Sequence, residues 1–364
     1  MTGAAVLADR WECGSDFAYP ETVHRDGDPL TLPAGAEFFH SGRDALGALA
    51  EFLSPKPARI LVPSYYCQEV SLALMSAGFH VEAYSDDPRW GLPMLGTLTL
   101  GTGDAIVVSN TFGLRAGMNG PYSVPESVIL IEDHTHDPFS EWARTSTAHY
   151  CFASLRKWLP VPDGGMLWSN RSETLPTPDP GTPLHAEITR EKTVAMVLKA
   201  SYLGGVTSDK ARYRALFAGA EARVGSVSPG SMSTAARELL QNVPVASWRT
   251  QRLANYNVLA SELRKLHSVS FSLLEPAQHC VPYAACLVMG RSEDRGMLAS
   301  ALISESIYPA VLWPIVGARI KGVGDRDAEL ASRILCLHCD HRYSADDMLR
   351  VAASVSSIVG AVGC

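Results

Sequence analysis

The first 36 residues show no clear hydrophobic period and carry Pro20, Pro29 and Pro33 among scattered acidic groups, so they read as an N-terminal arm. From Glu37 the pattern changes. Leu46, Leu49 and Leu53 recur at helical spacing over Arg43–Leu53, with Ser41 as a cap near the start. Short apolar runs then alternate with helical stretches. Ile60–Val62, the alternating His80–Tyr84, Ala105–Val108 and Val128–Ile131 read as strands, and Glu69–Ala77, closed by Gly78, reads as a helix. Runs that are apolar at every position suit strands covered on both faces, as in a parallel sheet. The alternation predicts an α/β fold with right-handed crossovers.

Two more strands are expected at Tyr150–Ala153 and Gly165–Trp168. Pro176, Pro178, Pro180 and Pro183 make 172–185 a loop. Helical sequence follows to about Val245. Leu253, Tyr256, Leu259, Leu263 and Leu266 then mark one long amphipathic helix over 248–266. It leads into a smaller α+β unit, with strands near Tyr283–Met289 and Ile334–Cys339 and a last helix near Asp346–Ile358. The expected organisation is an arm (1–36), a large domain (37–247) and a small C-terminal domain (248–364).

Composition narrows the function classes. With 46% hydrophobic and 19% charged residues in 364, the chain is globular with an ample core. Its 31 basic and 38 acidic residues leave a net charge of −7, which argues against a nucleic-acid partner. No apolar run approaches the ~18 residues of a membrane span. The opening MTGAAVLADRWECG does not read as a secretory signal, and eight scattered cysteines suit reduced thiols. A cytoplasmic protein is expected.

The chemistry concentrates in residues 128–168, VILIEDHTHDPFSEWARTSTAHYCFASLRKWLPVPDGGMLW. One strand ends in Glu132-Asp133. The next leads to Ser154-Leu155-Arg156-Lys157, and Gly164-Gly165 opens a third. Ligands of open α/β sheets bind at the carboxyl ends of strands. Pyridoxal 5'-phosphate needs a lysine for a Schiff base, a carboxylate for its ring nitrogen and donors for its phosphate. Lys157, Asp133 and Ser154 offer these three. Singly, a lysine is ordinarily a solvated charge and a strand-end aspartate a turn cap; the combination carries the signal.

These motifs resemble fold-type-I pyridoxal-phosphate enzymes, specifically the DegT/DnrJ/EryC1/StrS aminotransferase family. The likeness spreads over 38–350 through SGRDAL, VPSYYCQEV, NTFG, IEDHTH, SLRKWLPVPDGG, RLANYNVLASEL and DHRYSADDM. It implies a large domain with a mostly parallel central sheet, a small α+β domain, and a homodimer with a shared active site. It also implies amino transfer between a small-molecule donor and acceptor, with specialised metabolism as a natural setting. Asp133 and Lys157 take the ring-nitrogen and Schiff-base positions, and His136 lies beside the ring. Gly42-Arg43-Asp44 stands where the family usually has Gly-Thr/Ser at its phosphate turn; N–H groups at a helix start still hold phosphate there, and Arg43 adds charge. Cys67 stands where the family has a stacking aromatic, so Tyr66 is the expected ring-facing side chain. Asn110 matches a position near the cofactor, and Arg342 one that binds a substrate carboxylate. Arg212, Arg214 and Arg223 are expected to reach a neighbour's phosphate.

Other chemistries fit the same residues less fully. The cofactor also supports elimination, replacement, decarboxylation or carbon–carbon bond formation. His134 and His136 suggest a metal-dependent hydrolase, but His149, His185 and His279 have no supporting pattern. In Cys336–His341, Cys336 and His338 face one way on an extended strand, and Cys339 and His341 the other, so no metal is expected there. Gly101-Thr102-Gly103 precedes a strand and lacks a third glycine, which excludes a nucleotide loop.

Overall fold

A computed structural model describes residues 10–20, 30–93, 95–118, 124–207, 209–225, 228–241, 243–266, 271–317 and 320–362. The strands in chain order are β1 (Cys13–Gly14), β2 (Glu37–Phe39), β3 (Arg59–Pro63), β4 (Val81–Tyr84), β5 (Asp104–Ser109), β6 (Ile129–Asp133), β7 (Tyr150–Ser154), β8 (Gly165–Trp168), β9 (Phe271–Leu273), β10 (Ala284–Met289), β11 (Ile307–Tyr308) and β12 (Ile334–His338). The helices are α1 (Gly42–Phe52), α2 (Gln68–Ser76), α3 (Glu141–Thr145), α4 (Pro183–Leu203), α5 (Lys210–Glu221), α6 (Thr234–Leu240), α7 (Val245–Arg264), α8 (Ser292–Ser304), α9 (Asp325–Arg333) and α10 (Ala345–Val362).

Seven strands form the large sheet in the order β2-β8-β7-β6-β5-β3-β4. β4, β3, β5, β6 and β7 run parallel; β8 is antiparallel to both β7 and β2. β5 and β7 are buried along their whole lengths, which is why they read as unbroken apolar runs. Alternate residues serve opposite layers. Val107 and Ile131 pack with α1 residues Leu46 and Leu49, while Ile106 and Val108 pack towards Trp142. A second sheet, β12-β10-β9, is antiparallel throughout. α7, α8 and α10 contribute to its core through Leu259, Leu298 and Val355. The α/β fold class and the small α+β unit are those expected.

The structure adds what periodicity did not show. Within the arm, Cys13 pairs in parallel with Ile307 of β11. Trp11 Nε1 donates to Asp347 at 2.6 Å, so the arm belongs to the small sheet's core. The helical stretch before Val245 resolves into α4, α5 and α6, and α7 starts at Val245. No helix among the described residues is long and apolar enough to cross a membrane.

The start of α1 is set by two local constraints. Ser41 Oγ accepts from the Asp44 N–H at 3.1 Å and caps the helix. Beneath it Gly165 pairs with both Phe39 and Ser154, and a Cβ on Gly165 would stand 2.1 Å from the Ser41 carbonyl oxygen. Gly165→Ala is therefore expected to cost about 1–3 kcal/mol of stability, by overpacking against backbone. Urea unfolding reads this as a lower midpoint at unchanged slope.

Candidate active site

A cavity of about 430 Å³ opens where β6 and β7 end and α1 begins. It brings together Gly42, Arg43, Asp133, His136, Ser154 and Lys157, with Cys67, Thr135, Arg156, Glu221 and Trp313. Asp133 is the last residue of β6 and Ser154 the last of β7, so parallel register delivers both to one edge.

Asp133 is held from behind. Its Oδ2 accepts from the Tyr66 hydroxyl at 2.6 Å, and its Oδ1 from the Thr135 N–H at 2.8 Å. Burial pushes its carboxyl above the ordinary range, and those two donors oppose that rise. A cationic nitrogen lodged beside it would restore the ionised form. His136 Nδ1 accepts from the Phe112 N–H at 2.9 Å, so the neutral ring carries its proton on Nε2. Burial, with help from the charges of Lys157 and Arg252, drops the His136 pKa to about 3 and keeps it neutral. Trp313 lies nearly parallel to it, with ring centroids 5.2 Å apart.

The residues fit a phosphate-bearing cofactor. Ser154 Oγ is buried without a hydrogen-bond partner among the described residues, and Ser154 lines the cavity beside the α1 start. A Cβ on Gly42 would come within 3.1 Å of the Ser154 Cβ, so glycine keeps this cradle open. Helix-start N–H groups and an unpaired hydroxyl together suit an anion. Lys157, half-buried on the next turn, forms no hydrogen bond or ion pair among the described residues.

Glu221, the last residue of α5, organises the cations around this cradle. It takes both terminal nitrogens of Arg156 at 2.6 and 2.8 Å, Lys192 Nζ at 2.7 Å and Arg43 at 3.5 Å. Burial would raise its pKa, but Arg156 and Lys192 outweigh burial and hold the carboxyl below its ordinary value. Glu221 lies 64 residues from Lys157 and has no local sequence signature; the adjacency of Arg156 to Lys157 was the only signal for that arginine.

Five expected residues take other positions. Tyr66 does not line the cavity; its hydroxyl is spent on Asp133, so it orients the carboxylate rather than stacking on a ring. Asn110 lies outside the lining, with Oδ1 accepting from the Arg115 N–H at 3.2 Å and closing a tight turn. The Asp44 side chain turns back towards His40 at 3.7 Å, and burial pushes its pKa up to about 6. Arg342 chelates Asp340 and donates to the carbonyls of Ser15 and Asp16, so it braces the arm. Arg223 is likewise engaged with Glu187 and Glu191 of α4.

The histidine pair of the hydrolase reading separates. His134 bonds Glu132 at 2.9 Å and packs on Trp142 and Trp168, whereas His136 faces the cavity. His185 sits with His40 and Asp44, but its Nδ1 accepts the Thr182 N–H, so the neutral ring carries its proton on Nε2 and offers a donor there. Cys336 meets Cys286 across the small sheet at 3.3 Å, and His341 stacks on Trp248.

No protein-family model matches the chain, and no curated protein matches it. Solved structures of aminotransferases share its fold. NtdA from Bacillus subtilis, with bound cofactor PMP, is 15% identical over 89% of this chain and 73% of its own, with a TM-score of 0.58. A DegT/DnrJ/EryC1/StrS aminotransferase from Brucella abortus is 16% identical over 89% and 86%, with a TM-score of 0.57. DesI in the presence of its TDP-sugar product is 14% identical over 90% and 81%, with a TM-score of 0.57.

Because the Glu221 pKa is lowered in the folded state, its contribution is complete above about pH 4.5 and is lost as the pH falls below that value. Glu221→Gln is expected to flatten the acid limb of a Tm-against-pH curve. Parallel acid limbs for the two proteins would show that the ion cluster does not stabilise the fold.

Proposed function

We propose that the chain is a pyridoxal-phosphate-dependent aminotransferase of the DegT/DnrJ/EryC1/StrS type, acting on a small-molecule amino donor and acceptor. The observation that carries the reading is the convergence of Lys157, Asp133 and the unpartnered Ser154 Oγ on one cavity. The PMP carried by NtdA supports the choice of cofactor. A cytoplasmic homodimer in specialised metabolism completes the proposal. Leu72 and Val316, which line the cavity and stay 44% and 75% exposed, support a partner copy covering it.

Bound in the cavity, pyridoxal phosphate supplies a conjugated ring that accepts the electron pair released when a substrate Cα–H bond breaks. Asp133 holds a proton on the ring nitrogen and is itself oriented by Tyr66 and Thr135. Ser154 Oγ and the α1 N–H groups bind the phosphate, and Arg43 and Arg156 offset its charge. His136 borders the ring as a neutral donor through Nε2. Lys157 Nζ, which lines the same cavity, would hold the cofactor's aldehyde carbon. Its amine has no competing hydrogen bond or ion pair among the described residues, so it would be free to accept the substrate α-proton and to return one for amino transfer. That return of the proton distinguishes amino transfer from elimination or replacement.

Borohydride treatment of the loaded protein should place the label on Lys157 alone, and Lys157→Ala should lose the visible absorbance. Asp133→Asn should keep some cofactor while turnover falls by about 10²-fold or more. Incubation with a panel of amino acids and no acceptor should yield keto acid and pyridoxamine phosphate. A label on another lysine would refute the site, and a panel that yields no pyridoxamine phosphate would refute amino transfer.

A further inference from the structure

A second cavity, of about 450 Å³, lies on the other side of the Arg156–Glu221 ion pair. The two cavities share Arg156, Lys157 and Glu221, so the Lys157 side chain borders both. α5 forms one wall of the second. Lys210, Tyr213, Arg214, Phe217, Ala218 and Glu221 fall on a single helical face at spacings of three and four residues. Ser15 and Asp16 of the arm and Tyr308 of β11 lie opposite.

The polar groups of this chamber are unequally used. Lys210 is neutralised by Glu12 at 2.8 Å and bonds the Tyr308 hydroxyl at 2.6 Å. Arg156 is taken by Glu221. Arg214, in contrast, makes no hydrogen bond or ion pair among the described residues, although it lines the chamber. Next to it, Tyr213 is 1% exposed and its hydroxyl has no hydrogen-bond partner among the described residues. A buried hydroxyl is costly to leave unpaired. Four cations against two carboxylates line the chamber, so its field favours an anion.

We infer that this second chamber is the substrate chamber and that it selects an acidic substrate, holding its anionic group on Arg214 and the Tyr213 hydroxyl and its apolar part on Phe217. The inference rests on Lys157 being the reacting amine of the proposed aminotransferase. Lys157 then joins the chamber that holds the cofactor to the one that holds the substrate. In place of the reach to a neighbour's phosphate expected of Arg214, Arg214 and Tyr213 set specificity and leave cofactor binding alone, since neither lines the first cavity.

The test titrates the loaded protein with glutarate and with phenyl phosphate, two acids without an amine, by calorimetry and by the shift of the bound cofactor's absorbance. Arg214→Gln should weaken the bound acid about tenfold or more, and Tyr213→Phe severalfold, both at unchanged cofactor content. Arg171→Gln, outside both cavities, should bind like the parent. Preference for glutarate identifies a carboxylate substrate, and preference for phenyl phosphate a phosphorylated one. Failure of the parent to bind either acid, or equal binding by Arg214→Gln, would overturn the inference. The same titration on cofactor-free protein separates the two readings. If no cofactor is ever taken up but binding still depends on Arg214, the chamber stands and the aminotransferase reading falls.

Discussion

At Gly165 the backbone of β8 passes so close beneath the Ser41 carbonyl that no side chain can stand between them. This approach seats the first turn of α1 directly above the end of β7. Only then do the helix-start N–H groups and Ser154 Oγ face the same space. Any residue larger than glycine would lift α1 away and separate the two halves of the cradle. The seven-stranded sheet supplies the rest, because parallel neighbours end together and deliver Asp133 and Ser154 to one edge.

Around that edge the protein keeps its charges paired. Arg115 and Asp86 are both 1% exposed and joined by two hydrogen bonds, at 2.7 and 3.0 Å. Breaking such a buried pair from one side would strand the other charge in the core. They fasten the turn after β5 to the loop after β4. Glu221 does similar work nearer solvent, gathering Arg43, Arg156 and Lys192 from three separate elements. Lys157, half-buried beside this cluster, has no ion pair among the described residues.

The strands of the large sheet were legible because burial on both faces leaves an unbroken apolar run, as in Ala105–Val108. The convergence of Asp133, Lys157, Ser154 and His136 on one cavity was legible because they sit within one short stretch at two adjacent strand ends. The misplaced residues share a different property, since each is defined by a partner distant in sequence. Tyr66 reads as a stacking aromatic until its hydroxyl is seen on Asp133, 67 residues away. Arg342 reads as a substrate ligand until the carbonyls of Ser15 and Asp16 are seen to occupy it. Trp313 lies in a segment without period, and the face of α5 that lines the second cavity mixes charged, aromatic and small residues. Hydrophobic patterning is blind to such a face, because it has no apolar stripe.

The arm has a mechanical consequence. Cys13 is bonded to the small-sheet side through Ser306 and Ile307, whereas Arg10 and Tyr19 donate to the Leu203 and Met196 carbonyls of α4. Within ten residues the chain therefore grips both halves of the molecule, and Ser15 and Asp16 cross the second cavity between the two grips. This is a cross-brace. A rigid-body swing of the small sheet towards α4 would load the arm, and the torque would be borne where Ser15 and Asp16 line the second cavity.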